Sequence, residues 1–216
     1  DNGPGNYAYP TSSNFKPGAY DLERFEVYDA GDRIIFRVRT RDLTPTFGSP
    51  LSAQLVDLYI NTGGAPVSNS AAFATRNYTV ADGWTKRIEV QGFGQQYVDA
   101  SGATLGQVDI KGNDISRYIT FSVTKASLGT PASNWRYTVV LTGQDGFSSD
   151  QARGFAATAQ PFLFGVCAPG GSAAVCSADP GSVPRAVDVI TPAGVSQATE
   201  LDPTLGSVVI QPVLVP

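Results

Sequence analysis

Apolar residues recur at every second position along most of this chain. RIIFRVRT (33–40) places Ile34, Phe36 and Val38 on one face and Arg37 and Arg39 on the other. QLVDLYIN (54–61) groups Val56, Leu58 and Ile60, and RYITFSVTK (117–125) groups Ile119, Phe121 and Val123. WRYTVVLTG (135–143) aligns Trp135, Tyr137, Val139 and Leu141, while KRIEVQ (86–91) and SVVIQPVLV (207–215) are further runs of the same kind. Successive side chains of a strand point to opposite faces, so this period predicts half-buried β-strands. Glycine and proline punctuate the gaps, in AGD, GSP, NTGG, ADG, ASG, KGN and GTP, which is turn chemistry. No segment carries a helical stripe, and KASLG (125–129) is at most one turn. The pattern predicts an all-β chain, an antiparallel β-sandwich with less than about a tenth of its residues in helix.

The chain has 216 residues, 42% hydrophobic and 16% charged. That is the composition of one folded domain with a substantial core, and no internal repeat or linker divides it. The net charge is −4 with both signs scattered, so there is no basic stripe to neutralise phosphates and nucleic acid is not an expected partner. No apolar run approaches the roughly 18–20 residues of a membrane helix. Histidine and methionine are absent, which removes a Ser-His-Asp triad, the commonest zinc ligand and the usual haem ligands. A start at Asp1 without methionine reads as a processed product or an excised domain.

Cys167 and Cys176 bound CAPGGSAAVC. They read as a disulfide across a Gly/Ala/Ser-rich surface loop (167–182), contributing about 2–3 kcal/mol in the chain-entropy picture and implying an oxidising compartment. The opening DNGPGNYAYPT mixes stiff prolines (Pro4, Pro10), flexible glycines (Gly3, Gly5) and alternating Tyr7 and Tyr9. It reads as an ordered strap (1–20) across the sandwich, with its rings either packing or forming part of a ligand surface. Asn77-Tyr78-Thr79 is a glycosylation sequon.

Four blocks carry a family resemblance: GPGNYAYPT with FKPGAYDLERFEVYDAGDRIIFRV (3–38), SAQLVDLYINTGG (52–64), WRYTVVLTGQDGF (135–147) and VPRAVDVITPAGVSQATEL (183–201). In order and over nearly the whole chain, they resemble the C-terminal glucodextranase-type domain. That domain is a β-sandwich related to DOMON domains and family-nine carbohydrate-binding modules, found at the end of large secreted glucodextranases and amylopullulanases. Three departures stand out: a short acidic opening, Asn61 and Thr62 where an acidic turn is usual, and the cysteine loop in place of a glycine-rich stretch. All three lie where a cation would bind.

The resemblance implies a non-catalytic carbohydrate-binding accessory domain of an extracellular glucan-degrading enzyme. The alternative is a structural cell-envelope or S-layer-associated protein that contacts proteins or wall polymer. Hydrolase chemistry is disfavoured, because the carboxylates lie in turns and on alternating polar faces with no signature. The ligand would be an α-glucan or a cell-envelope polysaccharide. Sugar recognition needs flat rings beside planar polar groups. Trp84 at the ADGW turn and the QGFGQQY cluster, with Phe93, Gln95, Gln96 and Tyr97, are the expected ligand residues, while Trp135 belongs to the core. Calcium is the expected cofactor, with Asp1, Asp21 and Asp145 as oxygen donors.

Overall fold

The computed structural model describes residues 3–63, 71–73 and 75–215. The first seven strands are β1 (Leu22–Ala30), β2 (Arg33–Thr40), β3 (Gln54–Asn61), β4 (Thr79–Val80), β5 (Lys86–Gln91), β6 (Gly94–Asp99) and β7 (Asp109–Asn113). The next seven are β8 (Tyr118–Thr124), β9 (Arg136–Gly143), β10 (Phe155–Ala156), β11 (Phe164–Gly165), β12 (Asp188–Val189), β13 (Val209–Ile210) and β14 (Val213–Leu214). Two α-helical turns, Lys125–Leu128 and Gln197–Glu200, have four residues each.

Two antiparallel sheets face each other. One is four-stranded in the order β1-β2-β8-β7. The other runs β12-β9-β3-β5-β6, and β14 also pairs with β9. Two short parallel pairs, β10 with β11 and β13 with β4, lie outside them. The chain is thus an antiparallel β-sandwich, as the period-two pattern requires.

Between the sheets, Ile34, Phe36, Val38, Ile119, Phe121 and Val123 meet Val56, Leu58, Ile60, Tyr137, Val139 and Leu141. Trp135 joins the same core. Phe36 and Phe121 stand opposite each other in the β2–β8 register with centroids 5.4 Å apart. Burying each such side chain contributes about 1.5–3 kcal/mol relative to leaving it in water.

A second core lies on the far face of the larger sheet. Tyr59 and Val140 point away from the sandwich and are covered by Phe73, Tyr78, Val80, Trp84, Val189, Leu201 and Ile210. These come from the crossing between β3 and β5 and from the long closing segment. β3 is consequently buried at seven of its eight residues. The four-stranded sheet, by contrast, keeps one face in water among the described residues.

The N-terminal segment runs along the sandwich. Ala8 and Gly165 exchange backbone hydrogen bonds of 3.0 and 2.9 Å. The Tyr7 ring packs edge-on to Phe155 at 4.7 Å, and the Tyr9 hydroxyl accepts from the Tyr20 amide at 3.1 Å. Gly3 and Gly5 have positive φ, 72° and 68°. A Cβ at Gly3 would lie 2.5 Å from the Tyr7 ring, and one at Gly5 would lie 2.5 Å from the Ala173 methyl. Only glycine therefore suits either place. Ala173 lies within the loop closed by the Cys167–Cys176 disulfide, which is formed.

Candidate functional site

The structure separates the residues that the sequence groups as ligand-binding. Trp84 is 2% exposed, and its Nε1 donates to the Ala71 carbonyl at 2.8 Å. Its ring lies in the second core, 6.1 Å from Tyr59, so neither face is open to a sugar. Tyr97 stands opposite Ile88 in the β5–β6 hairpin and points into the main core, where it is buried. The expectation that these two rings are exposed is corrected: turn position did not make Trp84 accessible, because the β3–β5 crossing folds over the larger sheet.

The glutamines also diverge. Gln95 and Gln96 are consecutive in β6 and face opposite sides of the sheet. Gln95 donates to Gln107 Oε1 at 2.6 Å and accepts from the Val108 amide at 3.0 Å, pinning the connection to β7. Gln96 stays exposed, as does Phe93 at the hairpin turn.

Of the proposed calcium donors, Asp1 lies outside the described residues. Asp145 Oδ1 accepts from the Phe147 and Ser148 amides at 2.9 and 3.1 Å, and its Oδ2 accepts from the Ser148 hydroxyl at 2.6 Å. Asp21 pairs with Arg41 at 3.4 Å. Among the described residues no three acidic or cysteine side chains are grouped to hold a metal. The sequon asparagine is also engaged: Asn77 Nδ2 donates to the Gly181 and Val183 carbonyls at 2.8 and 3.0 Å.

The open face of the four-stranded sheet brings together residues that belong to no sequence motif. Because Phe36, Ile119 and Phe121 point inward, their neighbours Arg37, Tyr118 and Thr120 point outward. Strand register then sets rows across the sheet. Glu26, Arg37, Thr120 and Lys111 form one row, and Arg39, Tyr118 and Asn113 form the next. Tyr28, opposite Ile35, is 44% exposed. The Arg37 guanidinium lies 3.7 Å from the Tyr118 ring centroid and 5.9 Å from that of Tyr28. Glu26 holds it from the side at 3.5 Å. A shallow depression of about 440 Å³ follows, floored by Tyr28, Arg37, Tyr118 and Thr120 and rimmed by Lys111 and Asn113. The result is a ring, a planar cation and a second ring in a strip on a flat sheet. Such a strip offers stacking surfaces and fixed N–H donors to a ligand lying across it.

A similar set of residue types is buried behind the larger sheet. Arg76, 1% exposed, donates from Nε to Asp57 at 2.6 Å and from Nη2 to Glu89 at 2.8 Å. Its Nη1 donates to the Asp150 carbonyl at 2.9 Å. Tyr78 donates to Asp57 at 3.1 Å, and Arg185 pairs with Asp150 at 2.8 Å. Burial, reinforced by the neighbouring Asp57 carboxylate, pushes Glu89 up to about 7. The carboxylate pair Asp57 and Glu89 is sealed under Arg76, so it ties the β3–β5 crossing to the sheet and meets no substrate.

The outward signal was present in the sequence. RYITFSVTK places Tyr118 one residue out of phase with its apolar stripe, and so on the polar face. An aromatic at polar parity is a better mark of an exposed ring than one at a turn.

No protein with a curated function matches the chain. A protein-family match covers residues 1–209, and its description is a C-terminal binding module, SLH-like, of glucodextranase. This family is one of binding modules and not of catalytic domains. With its two-sheet fold and its open polar-aromatic face on a strand scaffold, the chain belongs to the glucodextranase C-terminal, SLH-like binding-module family.

Proposed function

We propose that this chain is a non-catalytic module that holds polysaccharide against the outer face of the four-stranded sheet. The observation that carries this reading is the Tyr28–Arg37–Tyr118 strip, an exposed ring beside a half-buried guanidinium and ring on the outward face of a sheet whose opposite face is locked in the core. Pyranose C–H faces stack on the Tyr28 ring, and the guanidinium that Tyr118 supports and the Asn113 amide bond to hydroxyls. An α-glucan or a cell-envelope polysaccharide is the ligand, and the module serves a secreted or surface-held protein. The Cys167–Cys176 disulfide fits that oxidising setting.

Titration calorimetry with soluble α-glucan and with purified envelope polysaccharide tests this. Losing one central aromatic anchor commonly costs about 2 kcal/mol, roughly thirtyfold in affinity. Tyr118→Ala should show that loss with little change in melting temperature. A parent that binds neither polymer ends the carbohydrate reading. A Tyr28→Ala/Tyr118→Ala double variant that binds as the parent does moves the site elsewhere.

One observation favours a second reading, in which the module contacts other envelope proteins. Phe47 and Phe162 both touch Phe15, at 5.9 and 6.2 Å, yet are 42% and 48% exposed. Exposed apolar groups gathered in this way mark protein contacts.

A further inference from the structure

We infer that the polysaccharide taken by the outer sheet face is acidic, a uronate-type polymer, and not a neutral glucan. This rests on the sheet-face reading above and names its ligand class. Five of the chain's fifteen lysines and arginines sit on this one face: Arg24, Arg33, Arg37, Arg39 and Lys111. Three carboxylates answer them. Glu23 pairs with Arg39 at 3.4 Å and Asp109 with Arg33 at 2.5 Å. Glu26 serves two guanidiniums, Arg24 at 3.0 Å and Arg37 at 3.5 Å. Among the described residues Lys111 has no ion-pair partner, although it shares a row with Arg37 across Thr120.

The face is therefore cationic on a chain whose net charge is −4. The rest of the surface repels an anionic polymer and this face attracts it, which orients the approach. Hydrogen-bond chemistry points the same way. A sugar hydroxyl both donates and accepts, so a neutral chain needs acceptors as well as donors. Arginine and lysine only donate, and the carboxylates that accept on this face are already held by guanidiniums. What remains is the Lys111 ammonium and the outward N–H groups of the arginines, beside two rings and the neutral Thr120 and Asn113. That complements carboxylates, which only accept when ionised and which guanidinium binds in matched pairs of hydrogen bonds. The Tyr28 ring stacks on the pyranose while Arg37 and Lys111 take the carboxylates of the same chain.

Three polymers of matched length separate the outcomes in titration calorimetry at low and at physiological salt: polygalacturonate, the same polymer after carboxyl reduction, and pullulan. Polygalacturonate should bind about tenfold or more tighter than either neutral polymer, and salt should erode that margin. Lys111→Gln should shrink the acidic-to-neutral ratio by up to about fivefold, the value of one exposed charge contact, with an unchanged melting curve. Neutral polymers bound as tightly as the acidic one, with loss on Tyr118→Ala, overturn the acidic inference and leave the sheet-face reading standing. Polygalacturonate bound equally by the parent and by an Arg39→Gln/Lys111→Gln double variant also overturns it, because the attraction then lies on another surface. If none of the three polymers binds, the acidic inference falls, and so does the α-glucan half of the sheet-face reading.

Discussion

The two outer faces of the sandwich use the same residue types to opposite ends. On the four-stranded sheet, Arg37 and two tyrosines line a shallow depression open to water, with the largely buried Glu26 beside the guanidinium. On the larger sheet, Arg76, Asp57, Glu89, Tyr59 and Tyr78 form a sealed network beneath the β3–β5 crossing. An exposed ion pair is screened and contributes little, whereas a buried one is costly to break because the surviving charge is stranded. The difference shows that an arginine between carboxylate and tyrosine is an accessible surface group or a structural pin according to what covers it.

The largest contrast is between the two arginines. Arg76→Met should lower stability by about 3–5 kcal/mol, leaving Asp57 and Glu89 buried without their cation. Arg37→Met should cost less than about 1 kcal/mol. Urea denaturation of the two variants measures both, and equal losses would erase the distinction between the faces.

The aromatics provide a second, slightly weaker contrast. Trp84→Ala removes a core ring and should cost about 3–5 kcal/mol, tempered by whatever collapse the side chains around it allow. Tyr28→Ala, on an edge strand and largely solvated, should stay within about 1 kcal/mol of the parent. Thermal melting compares them. A Trp84→Ala protein as stable as the parent would mean that the second core is not packed as described.

The smallest effect concerns pH. Glu89 is raised above its usual range, first by desolvation and next by Asp57. Between about pH 4.5 and 7 the folded chain therefore holds a proton that the unfolded chain has lost, so this group's contribution to stability falls as pH rises through that window. Glu89→Gln keeps an acceptor for Arg76 and cannot ionise. Its melting temperature should fall less than the parent's between pH 5 and 7.5, the two curves drawing together at the acidic end. Parallel curves would place Glu89 in a wetter setting than the other face's carboxylates.

Much of this was legible in the chain. Ile34, Phe36, Val38, Ile119, Phe121 and Val123 all lie in the main core, where alternation puts them. Trp135 follows the parity of its strand into that core, and the two cysteines are bridged. Trp84 and Tyr97 are buried although a turn position and polar neighbours in sequence suggest exposure, because neither feature reports what folds over a residue. Asp57 in QLVDLYIN looked like an ordinary polar-face residue and is instead fully buried.

Local pattern determined which segments are strands and which face of each is apolar, and hence the all-β sandwich class. Those follow from backbone geometry, which acts over one or two residues and is written directly into the alternation. Tertiary structure alone decided which sheet would be covered on its second side. That depended on Phe73, Tyr78 and Trp84 from one crossing meeting Val189, Leu201 and Ile210 from a segment more than a hundred residues later. Contacts between distant segments are selected by the shape and charge of surfaces that exist only after the strands have paired, so which outer face stays open is settled only in the assembled fold.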